Sequence, residues 1–255
     1  MLDKKDAYCF FISTNKKKGD ILKKTIKYIF LVGLMLLLWN TFILKPIKMV
    51  PIFVHEMGHF LANCALGDKI STANITLSDI NHVHIVTNKW ITSFTIANSG
   101  YLASLIFAIF MLRIKNEKLK RYTLGIVSSC ILISLIYIGK IPATFLYVII
   151  LTVATIVIYI LNNDIIFELV NDILGISSIS YCIYETVMKD ILPQMATKIN
   201  ILRGFTFNTN KITDADTMHK ITGIPAIIWG VMWFVVSIIA LLFCMKNTQK
   251  SKRRY

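Results

Sequence analysis

The sequence predicts an all-α polytopic membrane protein, with about six to seven transmembrane or half-membrane helices and one small β-hairpin. Three observations predict it. Hydrophobic residues make up 55% of the 255 residues, and the mean hydropathy is +0.63, more apolar material than a soluble domain of this size buries. Charged residues amount to only 16% and are clustered between apolar runs. Most of those runs are long enough to cross the hydrocarbon at about 1.5 Å per helical residue.

Residues 1–24 form a basic arm with Lys4, Lys5, Lys16, Lys17, Lys18, Lys23 and Lys24 and no periodic pattern. Residues 25–245 read as a single membrane-embedded domain, and 246–255 as a basic tail. The first apolar run, Ile26 to Leu44, ends at Lys45-Pro46 rather than at a small-residue cleavage site, so it reads as a retained anchor. Pro51 suits the first turn of a second helix reaching Leu66, where Gly67 can end it. That helix carries Lys48, His55, Glu56, His59 and Asn63, too polar a set to face lipid all round.

Between Lys69 and Trp90 the pattern changes. Ala73, Ile75 and Leu77 alternate with polar residues, Ser78 to Asn81 reads as a turn, and Val83 and Ile85 alternate again, which predicts a β-hairpin at 70–87. His82 and His84 share one face of its second strand, with no third ligand nearby. Apolar runs follow at Phe94 to Ile114, Tyr122 to Ile138, Ala143 to Leu161, Ile165 to Met188 and Ile224 to Met245.

The net charge of +14 lies in the arm, the tail and the loop around Arg113 to Arg121. Basic clusters beside apolar spans mark cytoplasmic loops facing anionic lipid, so lipid is an expected partner and nucleic acid is not. Both termini are then expected on the cytoplasmic side. Seven full crossings would separate these basic segments onto two faces, and Ile47 to Leu66 is the segment expected to be a half-crossing in a hydrated pocket. The five cysteines, Cys9, Cys64, Cys130, Cys182 and Cys244, show no C-x-x-C spacing, and four lie in apolar runs, where they read as small buried hydrophobes.

The chemistry is concentrated in Val54-His-Glu-Met-Gly-His-Phe60. On a helix, His55 and His59 stand one turn apart on one face and can ligate one zinc ion, while Glu56 is placed to act as general base on water at the metal. This is a hydrolase signature. A catalytic zinc needs three protein ligands. The acidic residues in or near the membrane are Glu168, Asp172, Glu185 and Asp214. On one helix Asp172 and Glu185 would be about 20 Å apart, so at most one of them reaches the ion. Asp214, ahead of a helix-like run, also suits an ordinary N-cap. Asn98 is a candidate substrate-binding or oxyanion-stabilising amide.

Together, Val54-His-Glu-Met-Gly-His-Phe-Leu-Ala62, Asn98-Ser-Gly-Tyr-Leu-Ala-Ser104, Thr213-Asp-Ala215 and Thr222-Gly-Ile-Pro-Ala-Ile-Ile-Trp229 resemble successive motifs of the site-2-protease-like membrane metallopeptidases. The likeness is to the smaller branch with a late T-D-A…T-G-x-P…W signature, and it spans roughly residues 50 to 243. It implies an intramembrane active site with one Zn2+ per chain, His55 and His59 as ligands, and Glu56 as base. Better-known members take the third ligand from an L-D-G or N-P-D-G aspartate, which this chain lacks. In the smaller branch a late acidic residue precedes T-D-A, and Glu185 occupies that place, so the resemblance implies Glu185 as third ligand, with Asp214 and Asp172 as the alternatives. The expected activity is zinc-dependent endopeptidase action on membrane-protein or peptide substrates. The alternative is a catalytically inactive peptidase-like membrane protein that binds or regulates a partner. A metal transporter would call for internally repeated acidic or histidine sites, and none is found.

Overall fold

A computed structural model describes residues 25–66, 89–138, 142–196 and 212–246. The basic arm, the expected hairpin at 70–87 with His82 and His84, and residues 247–255 lie outside the described residues. Every regular element among the described residues is helical, as the apolar runs predict. The order is α1 (Thr25–Leu37), then α2 (Lys45–Ala65), α3 (Trp90–Arg113), α4 (Glu117–Ile138), α5 (Pro142–Leu161), α6 (Asp164–Glu185), a π-helical turn (Thr186–Ile191), α7 (Leu192–Ala196), α8 (Asp214–Thr222) and α9 (Ala226–Lys246).

Three of these stretches are long and apolar enough to cross a membrane: α3, the run Asp164–Ala196, and α9. Helices α1 and α2 pass the same test only as a pair, and they are bent by 117° at the break between them. The bend has local causes. Pro46 has no N–H for the Phe42 carbonyl, which instead takes the Lys45 N–H at 3.3 Å, and the Thr41 hydroxyl donates to the Leu38 carbonyl at 2.7 Å. Pro46, not Pro51, therefore opens α2, and Pro51 lies inside it. Trp39, 1% exposed, plugs the corner against Tyr184 and Tyr181, with Lys48 over its ring at 5.1 Å.

Helix α1 is fastened to α6 by charge as well as by packing. Lys27 Nζ lies 2.7 Å from Asp172 Oδ2, and the buried Tyr28 hydroxyl donates to Asp172 Oδ1 at 3.2 Å. A carboxylate in an apolar bundle is costly unless partnered; Asp172 is partnered here by Lys27 and Tyr28 and does not join the cluster of His55, His59 and Asp214. Outward faces carry exposed apolar side chains such as Leu37, Ile106, Ile160 and Ile239, the surface expected against hydrocarbon.

Helix α3 is the axle, packed against α2, α6, α8 and α9. Its contact with α2 depends on Gly58, where an added Cβ would stand 2.5 Å from the Ser99 carbonyl oxygen and 2.6 Å from the Ala103 Cβ. Small residues at such crossings let helix backbones approach closely in apolar surroundings. Gly58→Ala should lower the thermal transition of the detergent-solubilised protein, because overpacking against a backbone oxygen, about 1–3 kcal/mol, exceeds the gain in helix propensity of about 1 kcal/mol. Gly33→Ala, with nothing within 4 Å of the new Cβ, is the control and should leave the transition unchanged or raise it.

Candidate metal centre

Helix α2 places His55 and His59 on one face with their Nε2 atoms 3.1 Å apart. Both are buried. The His59 ring is oriented from α3: its Nδ1 lies 2.7 Å from the Ile96 carbonyl oxygen, which only accepts, so Nδ1 carries the proton and Nε2 offers its lone pair. Such a carbonyl contact is the usual way a ligating histidine is aimed. His55 is held differently. Its Nδ1 is buried with no hydrogen-bond partner, and its ring is edge-on to Tyr101 at 5.0 Å and Tyr181 at 5.4 Å.

The third group comes from α8. Asp214 Oδ2 lies 2.9 Å from His55 Nε2 and 3.4 Å from His59 Nε2. Asp214 does not cap its helix. Thr213 does, its hydroxyl accepting from the Asp216 N–H at 3.2 Å while Asp216 accepts from the Thr213 N–H at 3.0 Å. The capping box leaves the Asp214 side chain to reach inward.

The seat of α8 is built by the late motif. Thr222 accepts from the Trp229 indole N–H at 3.3 Å, Gly223 ends α8 in the left-handed region at φ 74°, and Pro225 precedes α9. Trp90 of α3 donates to the Ile221 carbonyl at 3.0 Å, and Met218 is buried against Ala97 and Trp229.

Among the described residues, His55, His59 and Asp214 form the group whose ligand atoms all lie within 4.8 Å of one another. Two histidines and a carboxylate are a donor set for a catalytic zinc. With His59 Nε2 free to offer its lone pair and the Asp214 carboxylate facing both imidazoles, the residues present fit the ion. Gly100 supplies the room: a Cβ there would stand 2.5 Å from His59 Nε2 and 2.7 Å from His55 Nε2. Glu56 follows His55 on α2, 5% exposed, with its Oε2 unpartnered among the described residues.

Two residues singled out in the sequence have other partners among the described residues. Glu185, expected as third ligand, is outside the three-donor group and pairs with Lys189 one turn on. Asn98, expected at the substrate, directs its amide N–H groups to the Phe94 carbonyl at 2.8 Å and to the Met218 sulfur at 3.3 Å, tying α3 to α8. Conversely, Asp214 enters the group that the sequence reading gave to Glu185.

The Peptidase M50B-like family model matches residues 28–244. The chain belongs to the Peptidase M50B-like family. Comparison with curated proteins and with solved structures returns no match. The M50 family consists of zinc metallopeptidases embedded in membranes, and the HExxH helix, the small-residue face of α3 and the Thr213–Trp229 joint all lie inside the matched range. The M50B-like centre depends sterically on Gly100. Gly100→Ala should abolish stoichiometric zinc uptake by the purified protein while its helical circular dichroism is retained; uptake equal to wild type would overturn the steric argument.

Proposed function

We propose that this protein is a zinc-dependent intramembrane endopeptidase that cleaves peptide bonds of membrane-protein substrates. The observation that carries the proposal is the convergence of His55, His59 and Asp214 beside a buried, unpartnered Glu56 carboxyl oxygen in a chain of the M50B-like family. In this reading His55, His59 and Asp214 hold the ion, and Glu185 serves the surrounding electrostatics through Lys189.

When bound, the zinc ion supplies a Lewis acid that polarises the scissile carbonyl and acidifies water. The residues of this chain do the rest. Glu56 accepts a proton from the attacking water and returns it to the departing amine, so the peptide C–N bond breaks as the new C–O bond forms. The Ile96 carbonyl keeps the His59 ring in its ligating orientation through the reaction. The bent α1–α2 pair supports a half-crossing that brings water to Glu56 and keeps lipid from it. Residues 25–245 act as one domain, with the basic termini on the cytoplasmic side and lipid and an unwound substrate segment as partners. The expected hairpin at 70–87 would present a strand edge to that segment.

Elemental analysis of the detergent-solubilised protein tests the ligand set. Wild type should carry about one zinc per chain. His55→Ala and Asp214→Ala should lose it, and Glu185→Ala should keep it. Loss in Glu185→Ala with retention in Asp214→Ala would reverse the assignment, and a zinc-free wild type would overturn the proposal. Glu56→Gln should keep zinc and lose cleavage of a single-span test substrate by about 100-fold or more.

A further inference from the structure

We propose that Asp190 is a positioning residue of the metal centre, holding Tyr101 against the His55 ring. The inference rests on the metal-centre reading above and adds to it a residue outside the ligand set. Its starting point is the difference between the two histidines. His59 is aimed by a carbonyl at 2.7 Å, whereas His55 Nδ1 has no hydrogen-bond partner among the described residues. Ligating histidines are ordinarily fixed through their second ring nitrogen. His55 therefore has to be fixed by what its ring touches, and Tyr101, centred 5.0 Å away and edge-on, is the nearer of the two tyrosines.

Tyr101 is fixed in turn on its other sides. Its ring stacks on Trp233 of α9 at 5.3 Å, and its hydroxyl donates to Asp190 Oδ2 at 3.4 Å. Asp190 lies in the π-helical turn, 1% exposed, with Oδ1 unpartnered among the described residues. A buried carboxyl is too costly to keep by accident, and single π turns recur at functional sites because they displace side chains from the α-helical stripe. Helix α9 closes directly over Asp190: a Cβ on Gly230 would stand 2.7 Å from the Asp190 Cβ. The Thr213 side chain stands beside the same carboxyl. Asp190 thus lies between the tyrosine that braces His55 and the cap of the helix that carries Asp214.

The test uses the full-length protein in detergent, titrated with cobalt(II) and read by visible absorption. Tyr101→Phe and Asp190→Ala should each weaken cobalt binding about 10–100-fold and shift the ligand-field bands. The double variant should bind no more weakly than the weaker single one, because both act through one contact. Asp190→Asn, which keeps an acceptor for the Tyr101 hydroxyl and the side-chain volume, should restore most of the affinity. Losses that multiply in the double variant would overturn the inference, as would wild-type affinity and spectrum in Tyr101→Phe and Asp190→Asn together with instability alone in Asp190→Ala. A wild type that takes up no cobalt would overturn the metal-centre reading as well, so the two failures are distinguishable.

Discussion

The contact of α2 with α3 is the constraint on which the rest of the molecule depends. Gly58 lets the Ser99 carbonyl approach the α2 backbone, and Gly100, next along α3, leaves the space into which both imidazoles project. Any side chain at Gly100 would crowd the Nε2 atoms of both histidines. The two glycines thus lie on facing helices, one admitting the neighbouring backbone and the other admitting the chemistry. Helix α3 then carries the consequences outward. The Ile96 carbonyl orients His59, Tyr101 braces His55, and Trp90 and Asn98 anchor α8 through Ile221 and Met218.

A second constraint sorts the carboxylates. An ionised group inside a helical bundle stays only where a partner or a cation offsets the loss of water. Asp172 meets Lys27 and Tyr28, Glu185 meets Lys189, Asp190 meets Tyr101, and Asp214 meets two histidines. Cationic partners meet the first two, and a single hydroxyl meets one oxygen of Asp190. For Asp214 the facing groups are imidazole nitrogens, at least one of which offers a lone pair, and that pairing is satisfied best by a metal ion. In the proposed reading Asp214 is thus distinguished from the other acids by what faces it rather than by its depth in the chain.

This explains what was legible in the sequence. His55 and His59 form a pair at helical spacing, a local relation that periodicity alone discloses, and long apolar runs disclose helices. Asp214 meets His55 across 159 residues of chain, and no local pattern encodes such a contact. The sequence also offered a plausible competing role, because Thr213-Asp-Ala-Asp reads equally well with either Thr213 or Asp214 as the cap. A one-position shift at that cap decides whether the carboxylate closes a helix end or reaches the histidines. Glu185 was implied by the resemblance, as the late acidic residue ahead of T-D-A, yet the same run supplies Lys189 at the spacing that pairs them. The start of α2 was misplaced for a similar reason. Two prolines lie five residues apart, and only the turn at 38–45 shows that Pro46 is the one that breaks the chain direction.

The late motif is therefore to be understood differently from the first. In the proposed function HExxH carries the chemistry in its own side chains. In Thr222-Gly-Ile-Pro…Trp229, no side chain belongs to the three-donor group; the residues form a joint. Thr222 and Trp229 clamp the end of α8 to the start of α9, and Gly223 and Pro225 set the angle between them. A short helix of nine residues has little stability of its own. Held at its C-terminal end by this joint and at its N-terminal end by the Thr213–Asp216 box, it presents Asp214 at a fixed distance from α2. In the proposed reading, residues outside the three-donor group serve the same end as its members, since an ion held from two separate helices would be bound only as firmly as those helices are held together.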